Sequence, residues 1–242
     1  MNIDTKVYRK HESPTFGNTL LGAVPLVSEV YLMDCITLMK EYPDKYFDLA
    51  VVDVPYGLGE DGGKGVRTSP SRPNSYLREP KYKAKGWDKK PPELEYFYEL
   101  FRVSKNQIVW GANHFISKLP YDSSCWLVWD KKNEGTDFAD CELAWTSFKT
   151  AVRKFRVHKF EGTKGGKECI HPCQKPIALY DWIFLNYSKE NDKILDTHLG
   201  SGSSRISANK YKLHFVGCEI DEEYFNKQNK RYEEFVSQAR LF

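Results

Sequence analysis

The sequence predicts an α/β protein, and two stretches carry that prediction. Phe47-Asp48-Leu49-Ala50-Val51-Val52 is an apolar, β-branched run stopped by Asp53-Val54-Pro55-Tyr56-Gly57, the pattern of a buried strand that ends abruptly. Lys193 to Glu219 reads strand, Gly/Ser loop, helix, strand: a βαβ unit with a tight glycine turn. In open α/β sheets ligands bind beyond the carboxyl ends of the strands, so the residues left there become the first site candidates.

The 242 residues suffice for one substantial core and are expected to form a single domain over 1–242. No stretch has the apolar length of a membrane span, and the polar start Met1 to Arg9 is no signal peptide. A soluble, cytoplasmic protein without membrane association is expected. The six cysteines are scattered, which favours reduced thiols over a disulfide framework. Net charge is only +3, but nine Lys and Arg crowd residues 64–90 and seven more crowd 149–167. Single basic runs are usually solvated faces; two of them beside one candidate site suggest a phosphate-rich partner.

Residues 1 to 28 show little periodicity and are read as an arm with a short strand. Val30 to Cys35 reads as a strand ending in an acid, followed by a brief helix through Leu38 and Met39 to the Tyr42-Pro43 stop, where Asp34 also suits a helix cap. Gly57 to Pro92 is rich in Gly, Pro, Ser and Lys. A segment of that length is expected to be a mobile, basic, substrate-covering loop. Glu93 to Val103 has helical spacing. Asn106 to Trp110, Cys125 to Asp130 and Glu142 to Phe148 read as strands, with Trp129 and Trp145 read first as core. Val152 to Phe160 is a further strand candidate, and Gly162 to Lys167 a Gly/Lys link.

His171-Pro172-Cys173-Gln174-Lys175-Pro176 opens a helix over Ile177 to Tyr187. In the βαβ unit, Lys193 to Asp196 is the first strand, Thr197 to Ser204 the loop, Arg205 to Tyr211 the helix and His214 to Glu219 the second strand. Asp221 to Ala239 closes the chain as an amphipathic helix. An acid ending the second strand after a Gly-Ser-Gly turn resembles a nucleoside-binding arrangement: the glycines admit a ligand to the backbone, and the acid takes ribose hydroxyls. The loop lacks the third glycine of the dinucleotide fingerprint. At the other candidate, Asp53 offers a carboxylate to an amino group and Tyr56 a ring to a flat ligand.

Asp53-Val-Pro-Tyr56, His171-Pro-Cys-Gln-Lys-Pro176 and Asp196-Thr-His-Leu-Gly-Ser-Gly-Ser203, in that order, resemble the amino-group DNA methyltransferases that use S-adenosylmethionine, and their order matches the permuted β class. The resemblance runs from about Tyr31 to Arg231. It implies a Rossmann-like, mostly parallel sheet flanked by helices with one antiparallel strand. It also implies a reaction, methyl transfer to an exocyclic amino group in DNA, and favours adenine because aspartate rather than serine stands at position 53. Carried across, the catalytic tetrapeptide is Asp53, Val54, Pro55 and Tyr56: the Asp53 carboxylate and Val54 carbonyl accept the two amino hydrogens of a flipped base held on Tyr56. Asp34 and Cys35 resemble the segment touching the cofactor adenine, and Glu219 the ribose acid. Asp196, Gly200, Ser201, Gly202 and Ser203 resemble the loop around the methionine part, where Gln174 and Lys175 also fall. Val54, His198 and Leu199 depart from the usual pattern. Target recognition is expected in 57–90 and 130–167, where the two basic runs occur, and the resembling class is commonly dimeric.

Rival readings exist. Pro172-Cys173-Gln174 looks like the nucleophile motif of ring-carbon cytosine methyltransferases, although those place the cofactor loop first. Cytosine-N4 specificity, an RNA or protein amide substrate, and a non-catalytic nucleic-acid-binding module of the same fold are further alternatives. Cys169, His171 and Cys173 lack the paired knuckles of a zinc site, so no metal is expected.

Overall fold

Among the described residues, strands form in eleven short runs: β1 (Arg9–Glu12), β2 (Ser28–Leu32), β3 (Phe47–Val52), β4 (Val66–Arg67), β5 (Leu77–Arg78), β6 (Ser104–Trp110), β7 (Trp126–Asp130), β8 (Cys141–Thr146), β9 (Arg153–Arg156), β10 (Lys193–Asp196) and β11 (His214–Glu219). The helices are α1 (Cys35–Lys40), α2 (Leu94–Val103), α3 (Ile177–Tyr187), α4 (Ser203–Lys210) and α5 (Glu222–Ala239). The structure is a computed structural model and describes residues 9–12, 26–63, 66–67, 77–78, 81–135, 138–163, 166 and 168–239. Most of the predicted amino-terminal arm therefore lies outside the described residues.

Nine strands form one sheet in the order β1-β2-β11-β10-β3-β6-β8-β7-β9, and β4 with β5 makes a separate two-stranded ribbon. From β2 to β6 every neighbouring pair is parallel. Strand β8 runs antiparallel to both β6 and β7, the reversal the family resemblance implies, and β1 adds a second reversed strand at the edge against β2. A parallel strand in mid-sheet is covered on both faces, so it must be apolar throughout, and β3 is almost wholly buried.

The two faces carry different helices. Leu49 and Val51 point into a core with Leu179, Ile183 and Phe184 of α3, Ala208 of α4 and Phe225 of α5. Ala50 and Val52 point into another with Leu38 and Met39 of α1 and with Tyr96, Phe97, Leu100 and Val103 of α2. This is the alternation of side chains along a strand translated into two helical layers. Helix α4 starts at Ser203, two residues before the predicted Arg205. Gly202 takes a left-handed conformation (φ +69°) immediately before it, and Ser203 and Ser204 bond to groups outside the helix.

The basic excursion after β3 is described at its two ends, and these are fastened to each other. Asp88 accepts from the Gly57 and Glu60 amides, both at 2.8 Å. Asp61 accepts from Gly63, Lys85 and Gly86. No helix among the described residues is long and apolar enough to cross a membrane.

Candidate active site

Four adjacent parallel strands, β2, β11, β10 and β3, deliver Asp34, Glu219, Thr197 and Asp53 at or just beyond their carboxyl ends, and all four residues line one cleft of about 430 Å³. At the usual strand spacing, the row from β2 to β3 spans about 14 Å. The cleft is also lined by Cys35, Pro55, Gly200, His171, Lys85 and Trp87. Of the predicted site residues, Asp34, Cys35, Asp53, Pro55, Gly200 and Glu219 thus meet in one space. Val54 is buried in the core, Gln174, Lys175, Asp196, Ser201, Gly202 and Ser203 are buried outside the cleft lining, and Tyr56 is half-buried directly after the cleft-lining Pro55.

The Glu219 side is built on backbone. Gly200 (φ +49°) donates its amide to Glu219 Oε2 at 2.9 Å, while Ile220 and Asp221 donate to Oε1 at 2.9 and 3.0 Å. Burial raises the Glu219 carboxyl above its ordinary range, against those three bonds. Asp34 caps α1 through Thr37 N, as its place before the helix suggested, and also faces the cleft. Under the loop, Asp196 accepts from His198 N and Ser204 Oγ, and burial pushes its carboxyl up to about 7. Ser203 donates to the Lys175 carbonyl, and Arg231 donates to the Ser201 carbonyl and to Ser203 Oγ. These residues shape the loop from below.

His171 packs between Trp87 (centroids 5.4 Å, 27°) and Tyr224 (4.4 Å, 68°). Its Nδ1 accepts from Cys173 N, and burial holds the ring neutral, down to about 3. Lys85, paired with Asp221 at 2.7 Å and Glu223 at 2.8 Å, anchors the Trp87 segment to the start of α5.

The Asp53 side is built on side chains. Lys175 Nζ lies 2.5 Å from Asp53 Oδ2 and 3.0 Å from Glu142 Oε2, and Lys131 holds Glu142 Oε1 at 2.6 Å. Tyr56 donates to Asp53 Oδ1 at 2.7 Å, has Glu142 Oε2 as a second acceptor at 3.3 Å, and receives a bond from Lys175 at 3.2 Å. The rings of Tyr56, Trp110 and Trp129 surround the ammonium at 5.7, 5.4 and 5.9 Å. Burial acts against the ammonium, but the two carboxylates outweigh it and raise Lys175 above its ordinary value. Burial likewise opposes ionisation of Glu142, yet Lys175 and Lys131 bring it down to about 2. For Asp53 burial wins and the carboxyl is raised, with Lys175 pulling the other way.

Gln174 and Lys175 have protein partners of their own. Lys175 belongs to the Asp53 cluster, and Gln174 turns its Oε1 to the Ile170 amide. The thiol of Cys173 is pushed up to about 12 by burial and donates to the Glu60 carbonyl, which suits no thiolate nucleophile. Tyr56 stacks on His114 (5.2 Å, 19°) and leans on Gly111 so closely that a Cβ there would fall 1.9 Å from the ring. Glu142, Lys131, Gly111 and His114 were not singled out from the sequence. The signal for Glu142 was an acid inside the apolar run Cys-Glu-Leu-Ala-Trp.

The model of the N6_N4_Mtase family, described as DNA methylase, matches residues 109–230, just over half of the chain. The chain belongs to this DNA methylase family. Among its relatives is the Type II methyltransferase M2.MboI of Moraxella bovis, 24% identical to the methylase over 86% of this chain and 88% of that protein. Solved structures share the fold. The M1.HpyAVI–SAM complex superposes with a TM-score of 0.54 at 18% identity, covering 84% of this methylase and 97% of that chain. The PvuII DNA methyltransferase, cytosine-N4-specific, gives 0.55 at 12%, covering 87% and 90%.

Proposed function

We propose that this methylase transfers the methyl group of S-adenosylmethionine to the exocyclic amino group of adenine in DNA. One observation carries the reading: Glu219, the acid suited to a ribose, and Asp53, the acid suited to an amino group, face the same cleft. The cofactor fits the donor set, since Glu219, Asp34 and Gly200 line one cleft with the packed rings of His171, Trp87 and Tyr224. When bound it supplies an electrophilic methyl on a sulfonium.

The chain's own residues do the rest. Glu219 takes the ribose hydroxyls, with Asp34 and Cys35 beside the adenine moiety. The Asp53 carboxylate and the Val54 carbonyl accept the two hydrogens of a flipped amino group, aligning its lone pair for in-line attack. Tyr56, fixed by Asp53 and Gly111, offers its ring to the base, and the carboxylate already bonded to the amino group takes the proton shed after transfer. Segments 57–90 and 130–167 supply the basic surface for duplex phosphates.

The test is methyl transfer from labelled S-adenosylmethionine to unmethylated duplex DNA by wild type and Asp53→Ala, with nucleoside analysis. Methyladenosine is expected from wild type. The variant should lose about 2–4 kcal/mol of transition-state stabilisation, a drop of roughly 30- to 1,000-fold. Methylcytosine would move the assignment to the cytosine-N4 reaction. No transfer to DNA despite cofactor binding would redirect it to RNA or protein.

A further inference from the structure

We propose that Glu142 is a positioning residue for methyl transfer, a second acceptor that takes over Lys175 and the Tyr56 hydroxyl when the Asp53 carboxylate turns to the substrate amino group. The inference rests on the reading of Asp53 given above. In the structure both Asp53 oxygens are engaged, Oδ2 by Lys175 and Oδ1 by Tyr56. A carboxylate so held meets a new donor only in competition with the donors it has.

Both of those donors have an alternative, and it is the same atom. Glu142 Oε2 stands 3.0 Å from Lys175 Nζ and 3.3 Å from the Tyr56 hydroxyl, while its sister oxygen is fixed by Lys131 at 2.6 Å. The Lys175 side chain is 3% exposed, so no bulk water replaces a lost partner. Leaving a buried ammonium unpaired is strongly unfavourable, whereas shifting it between two carboxylates already within reach is not. The cluster counts two carboxylates against two ammonium groups, so it stays balanced as the bonds are reassigned. Glu142 remains ionised throughout the neutral range, as this role requires. It reaches the cluster from β8, the reversed strand, and does not line the cleft, so its action on the substrate runs through Asp53 and Tyr56.

The experiment compares Glu142→Gln and Glu142→Asp with wild type and Asp53→Ala in the full chain. It measures S-adenosylmethionine affinity by calorimetry, the thermal midpoint, and kcat and KM on unmethylated duplex DNA. The Gln variant keeps the shape and loses the charge; kcat should fall by up to about 100-fold with KM for DNA and cofactor affinity retained. The Asp variant keeps the charge on a shorter arm and should recover part of that loss although glutamine is the closer isostere. Wild-type kcat in the Gln variant overturns the proposal. So does a Gln variant faster than the Asp variant, or a fall in cofactor affinity parallel to kcat, either of which marks a structural role. If the Gln variant does not fold, an Asp variant whose cofactor affinity falls in parallel with kcat overturns it equally. Should Asp53→Ala be impaired while Glu142→Gln is not, the role of Glu142 alone fails. A fully active Asp53→Ala removes the reading of the site and this inference with it.

Discussion

Glu219 and Asp53 are both carboxylates at the ends of parallel strands facing one cleft, yet they are held by opposite means. Glu219 is gripped by three backbone amides, from Gly200, Ile220 and Asp221. Asp53 is gripped by two side chains, Lys175 and Tyr56. Backbone donors are fixed by the fold and cannot be reassigned without unmaking it. Side-chain donors swing, and these two have a second acceptor to swing to. One end of the cleft is a fixed socket; the other is free to exchange partners.

After Asp53→Ala, the next largest expected effect also probes the adjustable end. Gly111→Ala would place a Cβ 1.9 Å from the Tyr56 ring at a backbone φ of +71°. Methyl transfer should fall about 100-fold, with cofactor affinity intact in calorimetry; retained activity would show that the Tyr56 ring position is unimportant. The fixed end is probed by Glu219→Ala, which should weaken cofactor binding by about 1.5–3 kcal/mol, the worth of hydrogen bonds to a charged group. Its kcat at saturating cofactor should stay near wild type, and a collapse of kcat instead would erase the distinction between the two ends.

A third test concerns the loop beneath the socket. Asp196 has its carboxyl raised by burial from 3.8 to about 7. A raised acid favours the folded state below its unfolded pKa, and that contribution is lost as pH climbs from about 4 through about 7. Asp196→Asn, which keeps a carbonyl for His198 N, should therefore melt higher than wild type at pH 8, by on the order of 2–4 kcal/mol, with the gap closing toward pH 4. Thermal melts across that range decide it; a gap that widens toward acid contradicts the sign. The smallest effect is expected at Cys173→Ser, whose neutral thiol donates to the Glu60 carbonyl. Methyl transfer should be unchanged, and its loss would restore the thiolate reading.

The fixed end was legible in the sequence because it is local: β10, loop, α4 and β11 lie within 27 consecutive residues, and the glycines and acid keep their places in the motif. The adjustable end was half legible. Asp53 and Tyr56 are three residues apart and announce a strand end. Glu142 lies 89 positions beyond Asp53, on a strand separated from β3 by β6, so nothing in the spacing joins them. Lys175 was placed by its motif beside the cofactor, whereas the fold turns its ammonium into a box of three rings and two carboxylates, a feature only tertiary packing creates. The serines opening α4 read as loop because serine competes with the helix backbone; here outside partners occupy their hydroxyls.

The two carboxylates that fasten the ends of the basic excursion, Asp61 and Asp88, have an evolutionary consequence. By pinning 57–63 to 85–88, they make the intervening chain a cassette whose ends meet at a fixed point. Closing such a loop costs only about 0.6 kcal/mol more for each doubling of its length. Changes of length or sequence that spare Lys81 and Tyr82, which bond to the Gly166 and Cys169 carbonyls, thus leave the cleft wall, with Lys85 and Trp87, where it stands. A lineage can change what this segment touches while inheriting the chemistry unaltered.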